Sequence, residues 1–100
     1  MNIKNMTSSR GNLVPNQFIL TEYGNGANGN FIKRETFQSY DSVIAVITRW
    51  DDRTDVKLDK KYWNWSVTTC KYRDIFLGED KKATEKKIEQ GVYKLVDLNR

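Results

Sequence analysis

Residues 43–48 read Val43-Ile44-Ala45-Val46-Ile47-Thr48, and their conformation decides the fold. The run is apolar on both faces and rich in β-branched side chains, which fits a buried central strand better than a helix. A helix capped by Asp41 or Ser42 is the alternative that the same residues leave open. Upstream, Ser39–Ser42 reads as a turn and Phe31–Gln38 as the return strand of a hairpin. The glycine-rich loop Gly24–Asn30 precedes it, and Gln17–Tyr23 is aromatic and β-branched enough for a strand. Residues 1–16 are polar, contain Pro15, and read as an irregular lead-in to a single domain over 17–100.

Downstream, Asp51-Asp52-Arg53 turns the chain, and Thr54–Leu58 alternates with Val56 and Leu58 inward. Ser66 is placed to cap a helix over Val67–Leu77, which Gly78 would end in a left-handed conformation. At 100° per residue Thr68, Tyr72, Ile75 and Phe76 share its expected inner face. Asp80 caps a second helix, Lys81–Gln90, with Thr84 and Ile88 as a thin apolar stripe and Gly91 closing it. Val92–Leu98 is a last strand. The order β-β-β-β-α-α-β implies a small α+β domain with a mainly antiparallel sheet of about five strands and two helices.

Composition removes whole classes of chemistry. The 100 residues include no histidine and one cysteine, Cys70. Ser-His-Asp and Cys-His pairs, histidine-ligated metals and an intramolecular disulfide are therefore excluded. Seventeen basic residues face thirteen acidic ones, for a net charge of +4. The excess is even: 5 − 3 = +2 over residues 1–50 and 12 − 10 = +2 over 51–100, so neither half is a basic arm. The longest apolar run, Val43–Ile47, is far shorter than the roughly 20 residues of a spanning helix. With no apolar stretch behind Lys4, a cytoplasmic protein with no membrane partner is expected.

Three motifs bear on the chemistry. Gly24-Asn25-Gly26-Ala27-Asn28-Gly29 spells GxGxxG, but a strand rather than a helix is expected to follow, so no dinucleotide cofactor is expected. Asp55-Val56-Lys57, with Asp41 or Asp51 as a further carboxylate, echoes the acidic pair and lysine of a metal-dependent nuclease. Tyr62-Trp63-Asn64-Trp65 supplies aromatics for the core, for which Trp63 is favoured, or for a surface, with Trp65 open to either.

As a set, Ser8-Ser9-Arg10-Gly11-Asn12, Phe37-Gln38-Ser39-Tyr40-Asp41-Ser42-Val43-Ile44-Ala45 and Tyr62-Trp63-(x)2-Ser66-Val67-Thr68-Thr69-(x)2-Tyr72-Arg73-(x)2-Phe76-Leu77-Gly78 span nearly the whole chain. With these landmarks the sequence resembles a family of small uncharacterised proteins encoded mainly by tailed bacteriophages and mobile elements. The resemblance implies a protein that acts on a host component, a defence effector among them, as anti-CRISPR proteins do. The expectation is a non-enzymatic binding protein without cofactor or metal, its host-protein partner held by Trp50, Trp65, Tyr40 and Arg73. The alternative is a nucleic-acid-binding protein using Lys57, Lys60, Lys61, Lys82 and Lys86 with Trp65, and the second alternative is the nuclease.

Overall fold

A computed structural model describes residues 2–27 and 29–99 and makes 43–48 a strand. The elements are β1 (Asn2–Thr7), β2 (Leu13–Tyr23), β3 (Lys33–Ser39), β4 (Ser42–Arg49), β5 (Thr54–Asp59), α1 (Val67–Leu77), α2 (Lys81–Glu89) and β6 (Tyr93–Val96). They form a small α+β domain whose single sheet has the order β1-β2-β3-β4-β5-β6. Each of the first four strands pairs antiparallel with the next, and β6 joins β5 in parallel after the two helices.

Cross-strand register assigns the two faces. Ile19 lies opposite Phe37, Phe37 opposite Ala45, and Ala45 opposite Leu58, forming one row beneath the helices. Phe37, Ala45 and Leu58 have no exposed surface, and the Phe76 ring of α1 sits 5.7 Å from that of Phe37. Burying a side chain the size of Phe37 or Leu58 contributes about 2 kcal/mol. Between Phe37 and Gln38 the register shifts, a bulge that lets adjacent Ile44 and Ala45 both face inward. The opposite row, Ile3, Leu20, Thr36, Val46, Lys57 and Lys94, follows from the same registers and lies on the face away from the helices.

The lead-in expected over 1–16 is not irregular. Residues 2–7 form β1 and β2 starts at Leu13, because Ser8–Asn12 makes a hairpin turn. In that turn Ser8 N–H donates to the Asn12 carbonyl at 2.8 Å and Gly11 N–H to the Ser8 carbonyl at 2.9 Å. Pro15 is accommodated where the β1–β2 ladder is irregular, next to Asn16 at φ 65°. The sheet therefore has six strands.

The loop after β2 joins two strands, as its flanks require. Gly24 N–H donates to the Ile32 carbonyl at 2.9 Å, and a Cβ on Gly24 would lie 1.9 Å from the Phe31 carbonyl oxygen. Glycine is needed there for close approach of backbone to backbone rather than for a pyrophosphate. Asn28, inside the GxGxxG stretch, lies outside the described residues.

Both helices begin and end on the expected signals. The Ser66 side chain accepts from Thr69 N–H, Asp80 from Ala83 N–H, and Gly78 stops α1 at φ 72°. The inner face of α1 differs from the expected one. Thr69, Tyr72 and Arg73 are buried with Phe76 packed on the core, whereas Thr68 is exposed and Ile75 is 54% exposed. The helix is rotated because the Ser39 and Thr69 hydroxyls bond at 3.0 Å across the layers, drawing Thr69 to the sheet. Among the described residues no helix is long and apolar enough to cross a membrane.

Candidate functional site

The rotation of α1 leaves apolar side chains outside. Val67 is 89% exposed and Ile75 54%, two turns apart on the outer side of the helix. Trp65, just before the N-cap, is 61% exposed, and its ring meets that of Tyr62 edge-on at 5.1 Å. Tyr40 is also exposed, at the tip of the β3–β4 hairpin. Tyr40, Tyr62 and Trp65 line one cleft of about 240 Å³ together with the Ser39, Ser66 and Thr69 side chains. Ser66 Oγ donates to Thr69 Oγ1 at 3.1 Å, and Thr69 Oγ1 in turn meets Ser39 Oγ.

The backbone of Tyr40 has φ 55°, a left-handed conformation that a bulky L-residue adopts only when its surroundings impose it. Its N–H donates to the Asn16 carbonyl at 2.7 Å, which fixes the turn against β2. The conformation costs on the order of 1–2 kcal/mol.

The clefts along α1 are continuous. Trp65 and Ser66 border the hairpin cleft and also a shallow groove over the outer face of α1, whose floor includes Val67, Lys71 and Ile75. Ile75 in turn borders a third groove with Met6, Leu13 and Ile19. Exposed apolar groups thus recur along this side as a broken ridge, Tyr40, Trp65, Val67, Ile75 and Leu13, with Lys71 set between Val67 and Ile75.

Of the four residues expected to anchor a protein partner, Tyr40 and Trp65 come together. Arg73 is not a surface anchor. It has no exposed surface; its Nη1 donates to the Trp63 carbonyl at 2.6 Å and its Nη2 pairs with Asp74 at 2.8 Å. Trp50 is half-buried at the far end of β4 from Tyr40, with the Arg53 guanidinium 4.1 Å from its ring centroid. Eight strand residues separate the two aromatics, about 25 Å at the usual strand rise. Trp63 packs against the core, as favoured.

The lysines are dispersed. Lys57 lies on the sheet face away from the helices, beside Lys94, while Lys82 and Lys86 are exposed on α2 in the other layer. Lys60 and Lys61 sit in the turn after β5, with Lys61 Nζ 5.2 Å from the Tyr62 ring centroid. Asp41 and Asp55 occupy opposite ends of β4 and its partner strand, so they are not brought together as a metal pair would be. Among the described residues no group of three His, Cys, Asp or Glu is placed to hold a metal ion.

Two carboxylates not expected in this role, one buried and one half-buried, hold the neighbouring elements together. Asp59, 1% exposed, accepts from the N–H groups of Lys61 (3.0 Å), Tyr62 (2.9 Å) and Leu98 (2.8 Å). It thereby positions the turn that carries Tyr62 and Trp65. Glu79, after α1, accepts from Lys87 Nζ at 2.6 Å, Thr84 Oγ1 at 2.7 Å and the Tyr93 hydroxyl at 2.8 Å, tying α2 and β6 together. Alternation with Val56 and Leu58 reads Asp59 as outward, but it ends β5 and turns in to the three N–H groups, and Glu79 follows the Gly78 cap where an acid is common on exposed turns.

Burial pushes both carboxyls up, but the hydrogen bonds outweigh it and hold each below its ordinary value. Hydrogen bonding to Glu79 raises Lys87, while burial and then Glu79 raise Tyr93. The signs give a pH window. Groups lowered on folding add stability above about pH 4 that is lost as pH falls through their folded values. Groups raised on folding add stability below about pH 10 that is lost as pH rises through theirs. A plateau of the thermal midpoint between about pH 5 and 9, falling at both ends, is the expected result of melts from pH 3 to 11. Glu79→Gln is expected to flatten the acid limb.

A family model matches residues 1–91, across all the elements described up to α2. The chain belongs to DUF8033, a family of unknown function. No curated protein and no solved structure matches it. For this DUF8033 member the matched span includes Tyr40, Tyr62, Trp65, Val67 and Ile75.

Proposed function

We propose that this protein is a non-enzymatic binding module that grips a partner protein over the outer face of α1. The observation that carries this reading is the ridge of exposed apolar groups, Tyr40, Trp65, Val67 and Ile75, on a helix whose other side is already packed. Scattered apolar residues are normal on a surface, whereas a set recurring along one side and ending in an aromatic hairpin tip fits an interface with a mixed apolar and polar lining. Trp65 and Tyr40 are the anchors, being of the residue types that dominate interface energetics. Lys71 and Lys81 line the same groove as Asp74, a mixed polar rim.

The partner is a host protein, met in the cytoplasm. The resemblance to phage and mobile-element proteins supports this, and a host defence effector is the class it favours. Dispersal of the lysines over two layers leaves nucleic acid without a single charged face to follow.

The test is capture from nuclease-treated host lysate with wild-type protein and with Trp65→Ala and Tyr40→Ala. A stoichiometric protein partner is expected, and each substitution should weaken its binding about 30-fold, the tenfold-per-1.4 kcal/mol equivalent of a 2 kcal/mol hot spot. A partner that binds both variants as tightly as the wild type overturns the reading, as does binding that disappears with nuclease.

A further inference from the structure

Behind the cleft that Tyr40 and Trp65 share lies a polar side chain without a partner. Gln17 of β2 has no exposed surface, and neither its Nε2 nor its Oε1 has a hydrogen-bond partner among the described residues. Leaving a buried donor or acceptor unpaired is costly, and few such groups in proteins are left so. Gln17 stands opposite Ser39 of β3, on the sheet face toward α1. The bond from Tyr40 N–H to the Asn16 carbonyl flanks the two residues. They are therefore a non-hydrogen-bonded pair, the kind whose side chains stand closest together.

Ser39, 3% exposed, lines the buried end of the cleft. The hydroxyl hydrogens there can be followed one by one. Ser66 Oγ gives its hydrogen to Thr69 Oγ1, Thr69 gives its own to Ser39 Oγ, and the Ser39 hydrogen is left over. The buried end thus offers an O–H donor and, beside it, a carboxamide able to donate and accept. Toward the mouth the lining is the rings of Tyr40, Tyr62 and Trp65, and among the described residues no charged side chain lines the cleft.

These features select one kind of occupant. A cleft of about 240 Å³ is smaller than a cofactor needs and suits a single ring. A charged group would leave water with no counter-charge to meet it. A phenyl ring would suit the mouth but leave Ser39 and Gln17 unpaired, and an indole can only donate. A phenol brings a flat apolar body to the rings and, at its tip, an oxygen that both accepts and donates. We propose that the cleft takes a tyrosine side chain of the partner, its hydroxyl accepting from Ser39 Oγ and donating to Gln17 Oε1.

The inference rests on the reading of the protein as a binding module, and its test needs no partner, so the two fail separately. The probe is N-acetyl-L-tyrosine amide, titrated into the full chain and followed by NMR of the backbone amides and the Trp65 indole N–H. Shifts centred on Tyr40, Trp65 and Thr69 are expected, with a Kd on the order of 1 mM for a ligand of this size. The phenylalanine analogue should bind at least tenfold more weakly, since it leaves the buried end unpaired. The phosphotyrosine analogue should bind at least tenfold more weakly as well. Ser39→Ala and Gln17→Met should each cut the preference for tyrosine over phenylalanine to about threefold or less. Gln17→Met keeps the volume and removes both unpaired atoms, so it should also raise the thermal midpoint of the free protein by about 4 °C. The assignment is overturned by shifts elsewhere, by no shifts at 20 mM probe, or by equal binding of the tyrosine probe and either analogue. A preference unchanged in Gln17→Met, or a midpoint lowered by it, overturns it too. If the probe binds as expected but lysate yields no partner, only the module reading fails. If a partner is captured through Trp65 but the probe does not bind, only the tyrosine assignment fails.

Discussion

Asp59→Ala is expected to lower stability by about 3 kcal/mol and the thermal midpoint by about 15 °C. Three backbone N–H groups, from Lys61, Tyr62 and Leu98, converge on a carboxylate that is 1% exposed. Alanine leaves all three without their acceptor, and burial of a donor without its partner costs about 1–3 kcal/mol for each group that water cannot reach. The loss is not confined to the turn. Leu98 N–H belongs to the C-terminal segment, which Asn99 also fastens through its side chain to both backbone groups of Val43, at 2.7 and 2.8 Å. Removal of Asp59 therefore loosens the clasp between β5, the tail and the bulge of β4. Asp59→Asn should cost less, since its amide oxygen can still accept, and should abolish the acid sensitivity that the lowered Asp59 carboxyl confers. Equilibrium denaturation of the three proteins at pH 7 and pH 3.5 checks this. Equal stability of Asp59→Ala and wild type at pH 7 would contradict the role assigned to the carboxylate.

Arg73→Ala is expected to destabilise by about 3–5 kcal/mol, the range for removing one partner of a buried charged group or a large core side chain. The Arg73 side chain fills a site with no exposed surface between α1 and the Trp63–Trp65 turn. Its guanidinium lies 5.3 Å from the Trp63 ring centroid and donates to the Trp63 carbonyl. Alanine leaves a cavity and an unpaired carbonyl. Arg73→Met separates the two effects, because methionine restores most of the volume and takes no charge out of water. Its expected cost is about 1–2 kcal/mol, from the unpaired Trp63 carbonyl and, to a smaller extent, the lost partner of half-exposed Asp74. Urea denaturation of both variants tests the ordering, which fails if methionine is as damaging as alanine. Because Arg73 supports the turn bearing Trp65, the alanine variant should also weaken partner capture although Arg73 touches no partner.

The legible parts of the fold were those with local causes. β-branched residues on both faces from Val43 to Thr48 specify a strand, and Ser66 and Gly78 bound α1 through their own backbone chemistry. β1 was illegible because its residues, Asn-Ile-Lys-Asn-Met-Thr, have little strand pattern; pairing with β2 and the burial of Met6 make it a strand. The site divides in the same way. Tyr40 and Trp65 could be named from residue type, but their meeting depends on the β3–β4 hairpin tip lying beside the start of α1, a tertiary fact. Arg73 was misread because a lone arginine on a helix is usually solvated, and only the Trp63 carbonyl and ring explain its burial. Val67 and Ile75 went unnoticed as surface groups because the expected inner face was turned by part of a helical step from the real one.

The sheet order has a consequence for how the chain acquires its structure. From β1 to β5 every strand is joined to its neighbour by a short connection, so each ladder closes a small loop and loses little chain entropy. β6 is the exception: Val56 meets Tyr93 only after the whole helical crossover is in place. The meander is built hairpin by hairpin from local contacts, whereas pairing β6 with β5 closes the longest loop in the sheet and carries its largest loss of chain entropy.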